Sequence, residues 1–317
     1  MTDTQNEVFK TPVNKIRLFE HGAPGSQNFK LTRKYYTEDM PDGRVKHIVQ
    51  NITDPDIVPY IPDGIGNSTD RQRIPAVLII PGGAFRRLVY NFEGEDVAKW
   101  LNSMGIAAFV LECRLPSDEH DNAEDVPLID AMRAMRVIRG RAQEFGIDEA
   151  KIGVMGFSAG CFMAALLSTA YESDVYADYK YKDEYDKLSA RPDFAVCSYP
   201  VISIDDCIEA GKRYMSEEQV LERISDSKAK ILHKYNPDKL VRPDMPPVFI
   251  CETDDDRTTL SENSVGFYMA ARKAGVSAEL HIFRTGGHGY GCGDDFAQTG
   301  EWKVLFTKWI KSIGIIS

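Results

Sequence analysis

The chain has 317 residues, 43% of them hydrophobic and 27% charged, with a formal net charge of −10. That is enough apolar material for one large core, and the acidic balance excludes nucleic acid as an expected partner, because a phosphate backbone would be repelled. No run reaches the roughly 20 apolar residues needed to span a bilayer, and the polar start MTDTQNEVFK lacks the apolar centre of a signal peptide, so the protein is read as cytoplasmic with no membrane partner.

Residues 1–70 are rich in turn signals, with short β-like runs such as KIRLFE and KHIVQNI. IPDGIGNSTDRQR follows as a polar loop. A regular alternation then begins. AVLII (76–80) is a short apolar run ending in PGG, GEDVAKWLNSMG (94–105) has helical spacing and a glycine stop, and IAAFVLEC (106–113) is again strand-like. Residues 126–146 read as one long amphipathic helix, KIGVM (151–155) as a strand and AGCFMAALLSTA (159–170) as a helix. DFAVCSYPVI (193–202), PVFICE (247–252) and AELHIF (278–283) are further strands, with helical segments near 216–234, 261–274 and 299–312. Nearly continuous apolar strands alternating with helices predict a parallel sheet covered on both faces. Ligands in such sheets bind beyond the C-terminal strand ends. PGG, GFSAG, ETDDD and TGGHGYG each follow a strand directly and should gather there. The six cysteines (113, 161, 197, 207, 251, 292) show no CxxC pair. They read as buried free thiols rather than disulfides or a metal site.

Ser158 lies in Gly156-Phe157-Ser158-Ala159-Gly160, a G-x-S-x-G pattern between a strand and a helix. A serine at such a joint can be a helix N-cap or the nucleophile of an α/β-hydrolase elbow. The remaining residues favour the nucleophile. A hydroxyl needs a base at neutral pH, and His288, in the glycine-rich TGGHGYG after the last strand, can bend back over the elbow. His21, His47 and His120 precede the serine, against the order serine, acid, histidine, and His281 sits inside a strand. The acid should come from Asp254-Asp255-Asp256. Three adjacent carboxylates cannot all be buried and ionised, so one should turn towards His288 while the others stay in water or cap the next helix. Backbone N–H groups of Gly83 and Ala84, after the first strand of the alternation, and of Ala159 are the expected oxyanion-hole donors.

With these residues in place the chain resembles the bacterial α/β-hydrolases grouped with acetylxylan esterases and bifunctional acetylxylan/feruloyl esterases. The likeness runs from about LFEHGAPGS to GGHGYG, through PGGAF, FEGEDVAKWLNSMGIAAFVLECRLP, GFSAG and DKLSARPDFAVCSYPVIS. It implies a serine esterase that releases short acyl groups, often acetyl, from sugars or small alcohols, without metal or organic cofactor. The family's spacing before the helix that opens with Ser261-Glu262-Asn263-Ser264 implies Asp256 as the triad acid. A third glycine usually stands where this chain has Ala84, and an aromatic followed by small residues where it has Phe85-Arg86-Arg87.

The expected architecture is therefore a mostly parallel central sheet with helices on both faces, one α/β-hydrolase domain over 1–317. It carries a β-rich N-terminal extension over about 1–70 and a small helical cap over about 203–240. The expected catalytic residues are Ser158, Asp256 and His288; Phe85, Arg86 and Tyr290 are expected near the substrate, a small-molecule or oligosaccharide ester. Self-association is left open. The competing readings are a prolyl-oligopeptidase-like serine peptidase, disfavoured by the missing propeller-sized N-terminal region, and a non-catalytic binding protein on a hydrolase scaffold, disfavoured by the presence of both serine and histidine.

Overall fold

An eight-stranded sheet in the order β1-β4-β7-β5-β8-β9-β10-β11 forms the centre of the molecule in the computed structural model, which describes residues 13–64, 73–118, 120–213, 227–293 and 298–317 with Phe9 and positions 216, 218 and 219. The strands are β1 (Ile16–Arg17), β4 (Asp56–Tyr60), β5 (Ile74–Ile80), β7 (Ala107–Glu112), β8 (Ile147–Phe157), β9 (Ala195–Ser198), β10 (Val248–Thr253) and β11 (Ala278–Phe283). From β7 to β11 every pairing is parallel; β1–β4 and β4–β7 are antiparallel. Strands β7, β9 and β10 are buried along their whole length, as their unbroken apolar runs require of strands covered on both faces.

Two groups of helices provide that cover. Helix α1 (Asp96–Ser103) and the last helix, α8 (Trp302–Ser312), meet through Trp100, whose ring lies 4.9 Å from Trp302 and 5.4 Å from Phe306. Helix α2 (Val126–Gly140) packs on α4 (Ala159–Ala170), and α7 (Ser261–Lys273) packs on β10 and β11. The fold is the α/β-hydrolase fold.

The expected long helix over 126–146 is broken into α2 and a short turn α3 (Ala142–Phe145), which ends at Gly146 with φ 67°. A left-handed residue of this kind is a helix stop that glycine provides without steric cost. The run KIRLFE contributes only β1, two residues at the sheet edge. Strands β2 (Lys34–Asp39) and β3 (Val45–Gln50) pair with β6 (Leu88–Val89) in a second, antiparallel sheet. The N-terminal strands are thus divided between two sheets, and β6 follows the PGGAF loop directly. Of the expected cap, α5 (Ile204–Lys212) and α6 (Ser227–Lys234) are described; 214–215, 217 and 220–226 lie outside the described residues. No helix among the described residues is long and apolar enough to cross a membrane.

Candidate active site

Strand β8 runs into α4 with one residue between them, and that residue is Ser158, at φ 52° and ψ −121°. A non-glycine residue with positive φ is a strained position that the surroundings must hold. Two glycines make the turn possible. A Cβ on Gly156 would stand 2.3 Å from Gly160 O, and one on Gly160 would stand 2.0 Å from Ile80 O. The Ser158 side chain makes no capping bond to α4. Its Oγ lies 2.8 Å from His288 Nε2 instead. The hydroxyl is therefore turned towards the imidazole and not towards the N–H groups of α4.

His288 Nδ1 is 2.6 Å from Asp256 Oδ2. A carboxylate there needs the proton on Nδ1, which leaves Nε2 free to accept the serine proton. Asp256 is 2% exposed, whereas Asp254 and Asp255 are exposed. The Asp256 carboxylate also accepts the Thr258 and Thr259 N–H groups at 2.7 and 3.0 Å and the Thr259 hydroxyl at 3.0 Å. Burial pushes this carboxyl up, but the bond to His288, its charge and the two N–H groups outweigh burial, and Asp256 is held below the usual carboxylate value. Asp255 serves the neighbouring backbone. Its Oδ1 accepts the Gly287 N–H at 2.8 Å, and Thr253 Oγ1 donates to Gly287 O at 2.9 Å. Both bonds fasten the backbone beside His288.

The PGGAF loop comes up against the serine from β5. A Cβ on Gly82 would be 2.8 Å from Ser158 Cβ. Gly83, Ala84 and Phe85 then have φ of 139°, 56° and 61° in succession. Ala84 occupies a backbone region where glycine is usual, which gives physical content to the departure at this position. The Gly82 N–H is committed to Glu93 Oε2 at 2.8 Å. Of the backbone groups expected as donors, the N–H of Ala159 belongs to the first residue of α4 and has no intrahelical acceptor.

The three residues expected near the substrate are spread in depth. Arg86 is exposed. Phe85 is 7% exposed, with its ring edge-on to Phe162 at 5.6 Å. Tyr290 is 4% exposed; its hydroxyl accepts from Ser198 at 3.2 Å and its ring stands 4.5 Å from Tyr199, in the wall behind the triad. Arg87 pairs with Glu38 of β2. A cavity of about 20 Å³ touches Gly82, Gly83, Phe85, Ala159 and Met163. A larger cleft of about 520 Å³, bounded by residues from 24–28, 121–129 and 174–181, contains none of Ser158, Asp256 and His288.

Sequence reasoning passed over Glu93 and Tyr199. Glu93 is 5% exposed and Tyr199 is fully buried. Glu93 Oε1 accepts the Tyr199 hydroxyl at 3.0 Å, and that hydroxyl accepts the Gly291 N–H at 3.1 Å. Burial pushes the Glu93 carboxyl up, while His288, the Tyr199 hydroxyl and the Gly82 N–H act against it. The available signal was a glutamate in the first turn after an oxyanion-type loop. Tyr199 offered only its place at the C-terminal end of a strand.

Residues 65–270 match the BD-FAE family, a span that holds the PGGAF loop, Ser158 and Asp256 and stops before His288. An acetylxylan esterase of Xylanibacter ruminicola is 30% identical over 240 residues, which is 75% of this chain and 45% of that protein. The chain therefore spans less than half the length of that curated relative. The crystal structure of an acetyl ester-xyloside bifunctional hydrolase from Caldicellulosiruptor lactoaceticus is 35% identical, with a TM-score of 0.71 over 96% of this chain and 97% of that one. The butyrate-bound esterase Est2 of Thermogutta terrifontis is 25% identical, with a TM-score of 0.63 over 84% and 92%. From the extent of the family match and the sheet that carries it, the chain belongs to the BD-FAE family, on an α/β-hydrolase fold.

Proposed function

We propose that the protein is a serine carboxylesterase that removes short acyl groups, acetyl above all, from sugar or xylo-oligosaccharide alcohols. The observation that carries this reading is the continuous relay from Ser158 Oγ through His288 to Asp256, at 2.8 and 2.6 Å. Ser158 Oγ attacks the ester carbonyl and His288 Nε2 takes its proton. The resulting oxyanion is received by the N–H groups of Gly83, Ala84 and Ala159, each donor contributing about 10²–10³ in rate. As the tetrahedral species collapses, the C–O bond to the alcohol breaks and His288 returns the proton to the leaving oxygen. Water then attacks the acyl-enzyme by the same route. Asp256 stays ionised throughout and stabilises the imidazolium.

The cavity of about 20 Å³ beside the donors supports a small acyl group, since that is room for about one water-sized group. The Xylanibacter and Caldicellulosiruptor relatives support acetyl esters of xylan-type sugars. In this reading α5 and α6 border the alcohol side as a cap on a single hydrolase domain. The test is hydrolysis of a chromogenic acetate ester with and without a serine-directed phosphonate, followed by mass spectrometry of the adduct. The phosphonate should label Ser158, and Ser158→Ala should lose about 10⁴-fold or more in kcat while melting as the wild type does. An alanine variant that kept a tenth of wild-type kcat would remove Ser158 from the role of nucleophile.

A further inference from the structure

We infer that Glu93 and Tyr199 form one positioning unit that fixes the oxyanion loop and the histidine loop relative to each other for acyl transfer. The inference rests on the serine-esterase reading above. Neither residue touches the reacting atoms. Two bonds of the pair, however, end on backbone N–H groups, Gly82 and Gly291, of the loops that carry residues that do.

From Glu93 the contacts run two ways. Oε2 takes the N–H of Gly82, the neighbour of the donor Gly83. Gly82 is itself pressed between this carboxylate and the nucleophile: a Cβ placed there would meet Glu93 Oε2 and Ser158 Cβ, each at 2.8 Å. Oε1 takes the Tyr199 hydroxyl, which in turn accepts the N–H of Gly291, three residues beyond His288. The Tyr199 ring adds a third contact, standing edge-on to the His288 imidazole at 5.0 Å. One carboxylate and one phenol therefore join the loop after β5 to the loop after β11.

Two backbone features hold the unit in place. Glu93 sits in a π-helical stretch, Asn91–Glu95, that opens directly into α1; such wide turns are uncommon and recur at functional sites. Tyr199 has φ 42° and is pinned by its N–H to Cys251 O at 2.8 Å. A strained, fully buried residue persists only where its surroundings over-determine it. The carboxylate also has a selective effect. By occupying the Gly82 N–H it removes that donor from the oxyanion and leaves Gly83 and Ala84 to act.

The experiment compares kcat, KM and melting temperature, with a chromogenic acetate ester, for the wild type, Glu93→Gln, Tyr199→Phe and the double variant, with Ser158→Ala as reference. Each single change should lower kcat about 10–100-fold, a displaced rather than deleted donor, with KM within about threefold. Because the two side chains act as one unit, the double variant should be no slower than the slower single. A double variant whose loss is the product of the single losses would overturn the inference. So would a Tyr199→Phe enzyme with kcat within about twofold of wild type. Failure of Tyr199→Phe to fold would overturn it as well, by assigning the hydroxyl to stability; if Glu93→Gln alone does not fold, Tyr199→Phe decides. An active Ser158→Ala would instead sink the serine-esterase reading, so the two failures are distinguishable.

Discussion

Asp256 and Asp255 are chemically identical neighbours with different surroundings, and the difference sets what their replacement does. Asp256 is enclosed and bonded to His288, two N–H groups and a hydroxyl. Asn at 256 presents either its oxygen or its NH₂ to His288 and favours the wrong imidazole tautomer, so Asp256→Asn should lose about 10⁴-fold in kcat. Asp255 uses a single oxygen, for the Gly287 N–H, and an asparagine oxygen accepts the same bond; kcat of Asp255→Asn should stay within about fivefold of wild type. If Asp255→Asn were the inactive variant, the orientation of His288 would come from elsewhere. The pH profile follows from the same environment. The Asp256 carboxyl is held below its usual value, so the stability it contributes is present above about pH 4, the ordinary carboxylate value, and is lost only as pH falls through its depressed value. The stability difference between wild type and Asp256→Asn should therefore be constant above about pH 4 and shrink as pH falls through that depressed value; a difference unchanged at about pH 2 would remove the ionised carboxylate as its source.

The elbow shows what a single added methyl does to an element. Gly160, the second residue of α4, has Ile80 O at 2.0 Å from where its Cβ would be, and the obstacle is backbone of β5, which cannot rotate away. Gly160→Ala should therefore destabilise the protein by about 2 kcal/mol or more and lower kcat, read by urea unfolding alongside acetate hydrolysis; unchanged stability would mean that β5 and α4 separate more easily than the packing implies. Glycines in this motif were readable because a tight strand-to-helix turn has few sequence solutions. Strands β5, β7, β10 and the Ile152–Phe157 end of β8 were readable because burial on both faces leaves nearly unbroken apolar runs; the IDEAK start of β8, with exposed positions, was not. The half-buried edge was not: β2 reads KYYTED, and its pattern takes meaning only from pairing with β3. The division of 126–146 at Gly140 and Arg141 escaped notice since apolar spacing continues across the break. In the site, Ser158 and His288 stood out by residue type and position in the chain order. Asp256 needed a family spacing to separate it from its neighbours. Glu93 and Tyr199 acquire their relation only in three dimensions, 106 residues apart.

At the scale of the whole molecule, the proposed preference for small acyl groups points to the place where the oxyanion loop, α4 and the segment after β7 meet. Phe85, Leu88, Cys113, Leu115 and Met163 close that junction to about 20 Å³. Acetate esters should be turned over faster than decanoate esters, measured as kcat/KM over a series of acyl lengths; a faster decanoate would require an acyl route that avoids this junction. The loop that bears His288 is held from outside the sheet as well, by the Trp302 Nε1–H bond to Gly291 O at 3.1 Å at the start of α8. This bond has a consequence for the history of each chain. Ser158 leaves the ribosome 130 residues before His288, and the tryptophan that secures the histidine loop emerges later still. A nascent chain can complete its elbow, with strands β5 and β8 paired around it, and yet hold a serine that no base activates. In the serine-esterase reading, the nucleophile of a nascent chain therefore stays without its base until α8 docks.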